Sequence, residues 1–97
     1  MPKGDTVGSY LEERRQEVHR LVEGALIHLN VREYSVSVTR RRGVDVYSLE
    51  EPLFAVKAEV DRLLGVDEVE FIVHGLRYRG YSVKRLRSLE DRLLLLV

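Results

Sequence analysis

The sequence predicts an α+β domain, a two-layer sandwich with amphipathic helices on one face of a four-stranded antiparallel sheet. Three observations carry that expectation. The chain shows internal self-similarity, its apolar residues switch between helical and strand periods, and glycines stand where tight turns need them. The expected order is α-β-β-α-β-β-α in one domain over residues 1–97. Two αββ units span about 9–47 and 48–87, and a short apolar segment covers 88–97.

The repeat is read from two alignments. At an offset of 37, Glu33, Val36, Arg40, Arg42, Gly43 and Val46 match Glu70, Val73, Arg77, Arg79, Gly80 and Val83. At an offset of 38, Leu11, Glu12, Glu13, Val18, Val22 and Leu26 match Leu49, Glu50, Glu51, Val56, Val60 and Leu64. One residue lost in a helix-to-strand loop reconciles the two, at little entropic cost.

Each unit then reads alike. Ser9 with Glu12, and Ser48 with Glu51, form capping boxes at helix starts. Leu11, Val18, Leu21, Val22, Ala25, Leu26 and Leu29 form one helical stripe; Leu53, Val56, Val60, Leu63 and Leu64 form the other. Strands follow with period two: Tyr34, Val36 and Val38, then Val69, Phe71 and Val73. Gly43 and Gly80 turn two hairpins, with return strands at 44–47 and 81–86. The apolar 88–97 segment forms a last short helix. With the return strands central the strand order is 1-2-4-3, a circularly permuted ferredoxin-like arrangement.

Composition bounds the function. Sixteen basic residues, thirteen of them Arg, balance sixteen acidic ones, and there is no cysteine. A disulfide framework and a thiolate metal site are thereby excluded. The charge is segregated: residues 50–70 carry two basic and seven acidic groups, and residues 71–97 carry six and two. Local potential, not net charge, decides what such a surface attracts. High charge, no cysteine and short connections resemble proteins from hot environments. No signal peptide is visible and no apolar run is long enough to span a bilayer, so the expected location is cytoplasmic, without a membrane partner.

Paired Arg-x-Arg-Gly tips are the most specific feature. Arg40, Arg41 and Arg42 stand at one, and Arg77, Tyr78 and Arg79 at the other. Guanidinium groups on exposed turns suit phosphate oxygens. Lys84, Arg85 and Arg87 extend the basic stretch, and Tyr78 offers a ring for base stacking. The expectation is a non-enzymatic nucleic-acid-binding domain, with RNA and DNA equally open. The alternative is a dimeric assembly or adaptor subunit. It would use the acidic second helix (Glu50, Glu51, Glu59, Asp61, Asp67) and bury Leu93, Leu94, Leu95 and Leu96 against a partner.

No catalytic constellation, metal site or cofactor is expected. His19 and His28 fall on opposite sides of a helix, and no nucleophile elbow or glycine-rich phosphate loop is present. The duplicated αββ unit resembles, in topology alone, the domains of LAGLIDADG homing endonucleases. That family places an acidic metal ligand in a Gly-containing motif at the end of its first helix. Here the stretch is Glu23-Gly24-Ala25-Leu26-Ile27-His28-Leu29-Asn30, with no carboxylate after the glycine. The resemblance therefore implies no nuclease chemistry.

Overall fold

The computed structural model describes residues 6–43, 51–89 and 92–97. Its elements are α1 (Thr6–His28), β1 (Tyr34–Arg40), β2 (Phe54–Val60), α2 (Val66–Tyr78), β3 (Lys84–Leu89) and β4 (Arg92–Leu96). It is an α+β arrangement of two helices and an antiparallel sheet in which neighbours run β1-β2-β4-β3. β4 runs through the middle, with β2 along one side; β3 pairs with its other side, with a bulge between Arg85 and Arg87.

The duplicated three-helix plan is overturned, and the error begins after residue 50. Residues 54–60 were expected in the second helix and form β2, because Phe54, Val56, Ala58 and Val60 point into the core while Lys57 and Glu59 point out. Both periods fit this stretch, and antiparallel pairing with β1 and β4 selects the strand. Residues 69–74 were expected as a strand and belong to α2. Their β-branched character suits either element, but Val69, Ile72, Val73 and Leu76 stand at i, i+3, i+4 and i+7 and all are buried. The expected terminal helix is strand β4, with Leu93, Leu95 and Val97 inward. The offset-38 alignment therefore laid α1 partly over a strand. The return strand expected at 44–47 and the helix start at Ser48 lie outside the described residues.

The first helix has the expected inner face, Leu11, Val18, Val22 and Leu26, although it begins at Thr6 and so places Ser9 inside it. Both helices stop in the same way. The amide of Val31 donates to Leu26 O and that of Asn30 to Ile27 O (both 3.0 Å), with Asn30 at φ 63°. Likewise Tyr81 N donates to Leu76 O (3.1 Å) and Gly80 N to Arg77 O (2.9 Å), with Gly80 at φ 93°. These are Schellman closures, each sealed by a buried apolar pair, Leu26 with Val31 and Leu76 with Tyr81. Gly80 is thus a helix stop, not a hairpin turn; left-handed backbone serves both uses.

At the start of α2, Glu68 reaches back to accept from Gly65 N (2.9 Å) and ion-pairs with Arg62 (2.7 Å). Arg62 also donates to Leu29 O (2.8 Å), tying the end of α1 to the start of α2. The Arg62 guanidinium first, and the Gly65 amide second, hold the Glu68 carboxyl at about 2, below its ordinary 4.5. Glu12 is held at about 2 by Arg15 and then Gln16.

This packing is testable at two places. Leu95→Ala is expected to cost about 2–5 kcal/mol by cavity formation, and Leu94→Ala, on the opposite face, less than half as much in urea unfolding. Equal losses would contradict the inward placement of Leu95. The depressed carboxyls contribute stability that is present above the unfolded value of 4.5 and lost as pH falls toward 2. Glu12→Gln/Glu68→Gln should therefore flatten the acid limb of the stability profile between those pH values; an unchanged limb would remove both clamps from the account.

Candidate functional site

Strand register decides where the arginines meet. Arg40, the last residue of β1, lies opposite Phe54, the first of β2. Phe54 and Val97 exchange backbone bonds (2.8 and 2.9 Å), and Leu96 lies opposite Lys84, the first residue of β3. Arg40 and Lys84 therefore stand at the same end of the sheet, about 14 Å apart along the hydrogen-bonding direction, Arg40 at an inner-face position opposite Phe54 and Lys84 at an outer-face position opposite Leu96. Arg77 donates to Val83 O (3.3 Å), so the C-terminal turn of α2 comes to that end as well. Arg79 follows it and faces Glu17 of α1 (3.8 Å).

The basic residues of the end divide by role. Arg41 is half-buried; its backbone amide donates to Leu53 O (2.8 Å) and its guanidinium to Pro52 O (2.9 Å), so it closes the β1–β2 connection. Arg40, Arg42 and Lys84 are exposed and form no ion pair among the described residues. Arg85 and Arg87 occupy register positions opposite Leu95 and Leu94. Arg77 and Arg79 are not on a hairpin tip, as the repeat suggested, but at the end of α2. Tyr78 is 82% exposed and points away from the core.

Beside this end lies a cluster that sequence reasoning missed. The Arg14 guanidinium sits 4.6 Å from the Tyr81 ring centre and 5.4 Å from that of Tyr10, and donates to the Tyr10 hydroxyl (2.7 Å). The Tyr81 hydroxyl donates to Glu17. Arg14 Nε is buried with no acceptor among the described residues, so ring contact holds a guanidinium whose hydrogen bonding is incomplete. An open groove of about 420 Å³ runs beside it, lined by Tyr10, Glu13, Arg14, Gln16, Glu17 and Arg20. Sixty-four residues separate Glu17 from Tyr81, and no local pattern announces such a pair.

The leucines divide as well. Leu93 and Leu95 are fully buried in the core of their own chain, while Leu94 and Leu96 are half-buried on the opposite sheet face. The acidic residues expected on one helix do not share an element. Glu59 is in β2 beside Lys57 and Arg92, Asp61 accepts from Glu33 N (3.3 Å), and Asp67 is in the first turn of α2. Glu51 is exposed ahead of β2, and Glu50 lies outside the described residues.

His19 bonds Val36 O (3.1 Å) and His28 stacks on Phe71 (4.9 Å between centroids). Among the described residues no group of three His, Asp or Glu side chains could hold a metal ion, and no helix is long and apolar enough to cross a membrane.

No protein-family model, curated protein or solved structure matches the chain.

Burial first, and the hydrogen bond to Glu17 second, push the Tyr81 phenol up from 10 to about 12. A raised phenol contributes stability that is present below the unfolded value and lost as pH rises from 10 to 12. Tyr81→Phe should remove that alkaline loss and delete a late component, ionising near pH 12, from an ultraviolet titration. A Tyr81→Phe titration that still contains the late component would reassign it.

Proposed function

We propose that the basic end of the sheet binds the phosphate backbone of a nucleic acid, without catalysis, in the cytoplasm. The observation that carries the reading is the register itself. Residues far apart in sequence, Arg40 and Arg42 from the β1 end, Lys84 from β3, and Arg77 and Arg79 from α2, converge on one end. The backbone span of about 14 Å between Arg40 and Lys84 corresponds to about four base-pair steps, at roughly 3.4 Å each along one strand. Guanidinium groups suit such contacts because their planar donors match phosphate oxygens.

Contacts of this kind carry little sequence information; they set affinity and position. RNA and DNA offer the same phosphates, and the choice between them belongs to the measurement.

Fluorescence anisotropy against single-stranded RNA, duplex RNA and duplex DNA, over a range of salt, tests the proposal. Binding should weaken as salt rises, because each neutralised phosphate releases counterions. The variant Arg40→Ala/Arg42→Ala/Lys84→Ala is expected to bind more weakly. Its slope of log K against log salt should be shallower by about 0.7–0.9 for every phosphate it no longer neutralises. Arg41 is left in place because it holds the β1–β2 connection. Absence of binding at low salt, or a variant with unaltered affinity and slope, would overturn the reading.

A further inference from the structure

Register also sets out the sheet face opposite the core, in rows that cross the strands. Thr39, Ala55, Leu96 and Lys84 make the row at the basic end. Ser37, Lys57, Leu94 and Arg87 hold the next, about 7 Å away at two residues per row, and Ser35, Glu59, Arg92 and Leu89 the one after. Val38, Val56 and Leu95, which alternate with these positions along their strands, are buried in the core. Four basic positions (Lys57, Lys84, Arg87, Arg92) thus share the outer rows with one carboxylate, Glu59. Glu59 lies 3.8 Å from Lys57 and 3.9 Å from Arg92, and Lys84 forms no ion pair among the described residues. Between the two lysines the surface is apolar: Ala55, Leu94 and Leu96 are half-buried.

We propose that this face takes a single strand of nucleic acid, which runs from the basic end across Lys84 and Lys57 with its bases and sugars over Leu94 and Leu96. The inference rests on the phosphate-binding reading and names the form of nucleic acid that reading leaves open. The two lysines stand about 12 Å apart at the backbone, two strands and one row. Lys57 gives one long contact to Glu59, and an ammonium has three donors, so a phosphate oxygen can share it. The exposed hydroxyls of Ser35 and Ser37 line the β1 side and suit phosphate and sugar oxygens.

The occupant follows from the chemistry of the face. Apolar area set between cations gains most from a ligand that is anionic and also has apolar surface to bury. A single strand exposes its base faces along a charged backbone, whereas a duplex turns them inward and offers phosphates alone. A second copy of the chain would bring the same excess of cations, and like charges across an interface repel. Leu94 and Leu96 sit half-buried between the strands and do not project as residues that enter a bilayer must.

The chain has three lysines, Lys3, Lys57 and Lys84, so acetylation read by mass spectrometry reports on this face directly. Oligouridylate and oligothymidylate should each slow acetylation of both Lys57 and Lys84, and should bind more tightly than a duplex of equal length. Lys57→Ala is expected to weaken single-strand binding about two- to fivefold, the worth of one exposed ion pair, and to make the salt slope shallower by about 0.7. Leu94→Ser should lower the affinity that persists at high salt, where phosphate contacts are screened; circular dichroism checks that both variants keep the fold. Protection of Lys84 without Lys57, or a duplex bound as tightly as the single strand, overturns the inference and leaves the phosphate-binding reading standing. Absence of binding by every oligonucleotide overturns both. Acetylation of Lys57 slowed by rising protein concentration alone, or by phosphatidylserine vesicles and not by oligonucleotide, assigns the face to a second copy or a lipid surface and overturns the inference as well.

Discussion

Strand β4 can be buried only if another strand lies along each edge and a helix layer covers one face, and this requirement organises the fold. Leu93 and Leu95 are fully buried, so the peptide groups around them need partners within the protein. β2 supplies them on one side and β3 on the other. Val97 completes the arrangement by accepting from both Leu53 N (2.9 Å) and Phe54 N (2.8 Å) and donating to Phe54 O (2.9 Å). Those bonds align the ends of β2 and β4, and through them the ends of β1 and β3. The convergence of basic residues at that end is a consequence of burying the leucines.

The helices must then cover the inner face without overrunning it, which is a problem of stopping. Each ends on a residue with positive φ, Asn30 or Gly80, and each closure is followed by a buried apolar residue, Val31 or Tyr81. Tyr81 links this local geometry to the wider packing. Its ring seals the end of α2, its face supports Arg14, and its hydroxyl reaches Glu17. At the other end, Arg62 joins Leu29 O and Glu68, so one guanidinium connects the exit of α1 to the entry of α2. Both ends of the helix pair are therefore fixed by side chains that bridge distant parts of the chain.

Residues 11–38 were legible because one period prevailed in each segment: the stripe from Leu11 to Leu26 has no strand reading, and the alternation from Tyr34 to Val38 has no helical one. Between Phe54 and Val73 both periods fit. Leu53, Val56 and Val60 make a passable helical stripe, while Phe54, Val56, Ala58 and Val60 make a better strand once β4 lies alongside. The decision belongs to a pairing with residues nearly forty positions later, which local periodicity does not contain. The repeat strengthened the error, because aligning Gly43 with Gly80 equated a turn after a strand with a helix stop. The structural correspondence is instead Leu26, Asn30 and Val31 with Leu76, Gly80 and Tyr81, a spacing of fifty residues. Of the basic residues singled out, the end of β1 and Lys84 were legible as exposed cations; their juxtaposition was not, because it depends on register.

Edge strands restrict how such a sheet can associate. An exposed edge invites pairing with another chain, and proteins commonly block it. On β1 the carbonyls of Val36 and Val38 are met by His19 (3.1 Å) and Arg15 (3.4 Å), side chains that descend from α1. An added strand would have to displace both. The inner sheet face is filled by the core, and the outer face offers a small mixed surface in which Glu59 is shared between Lys57 and Arg92.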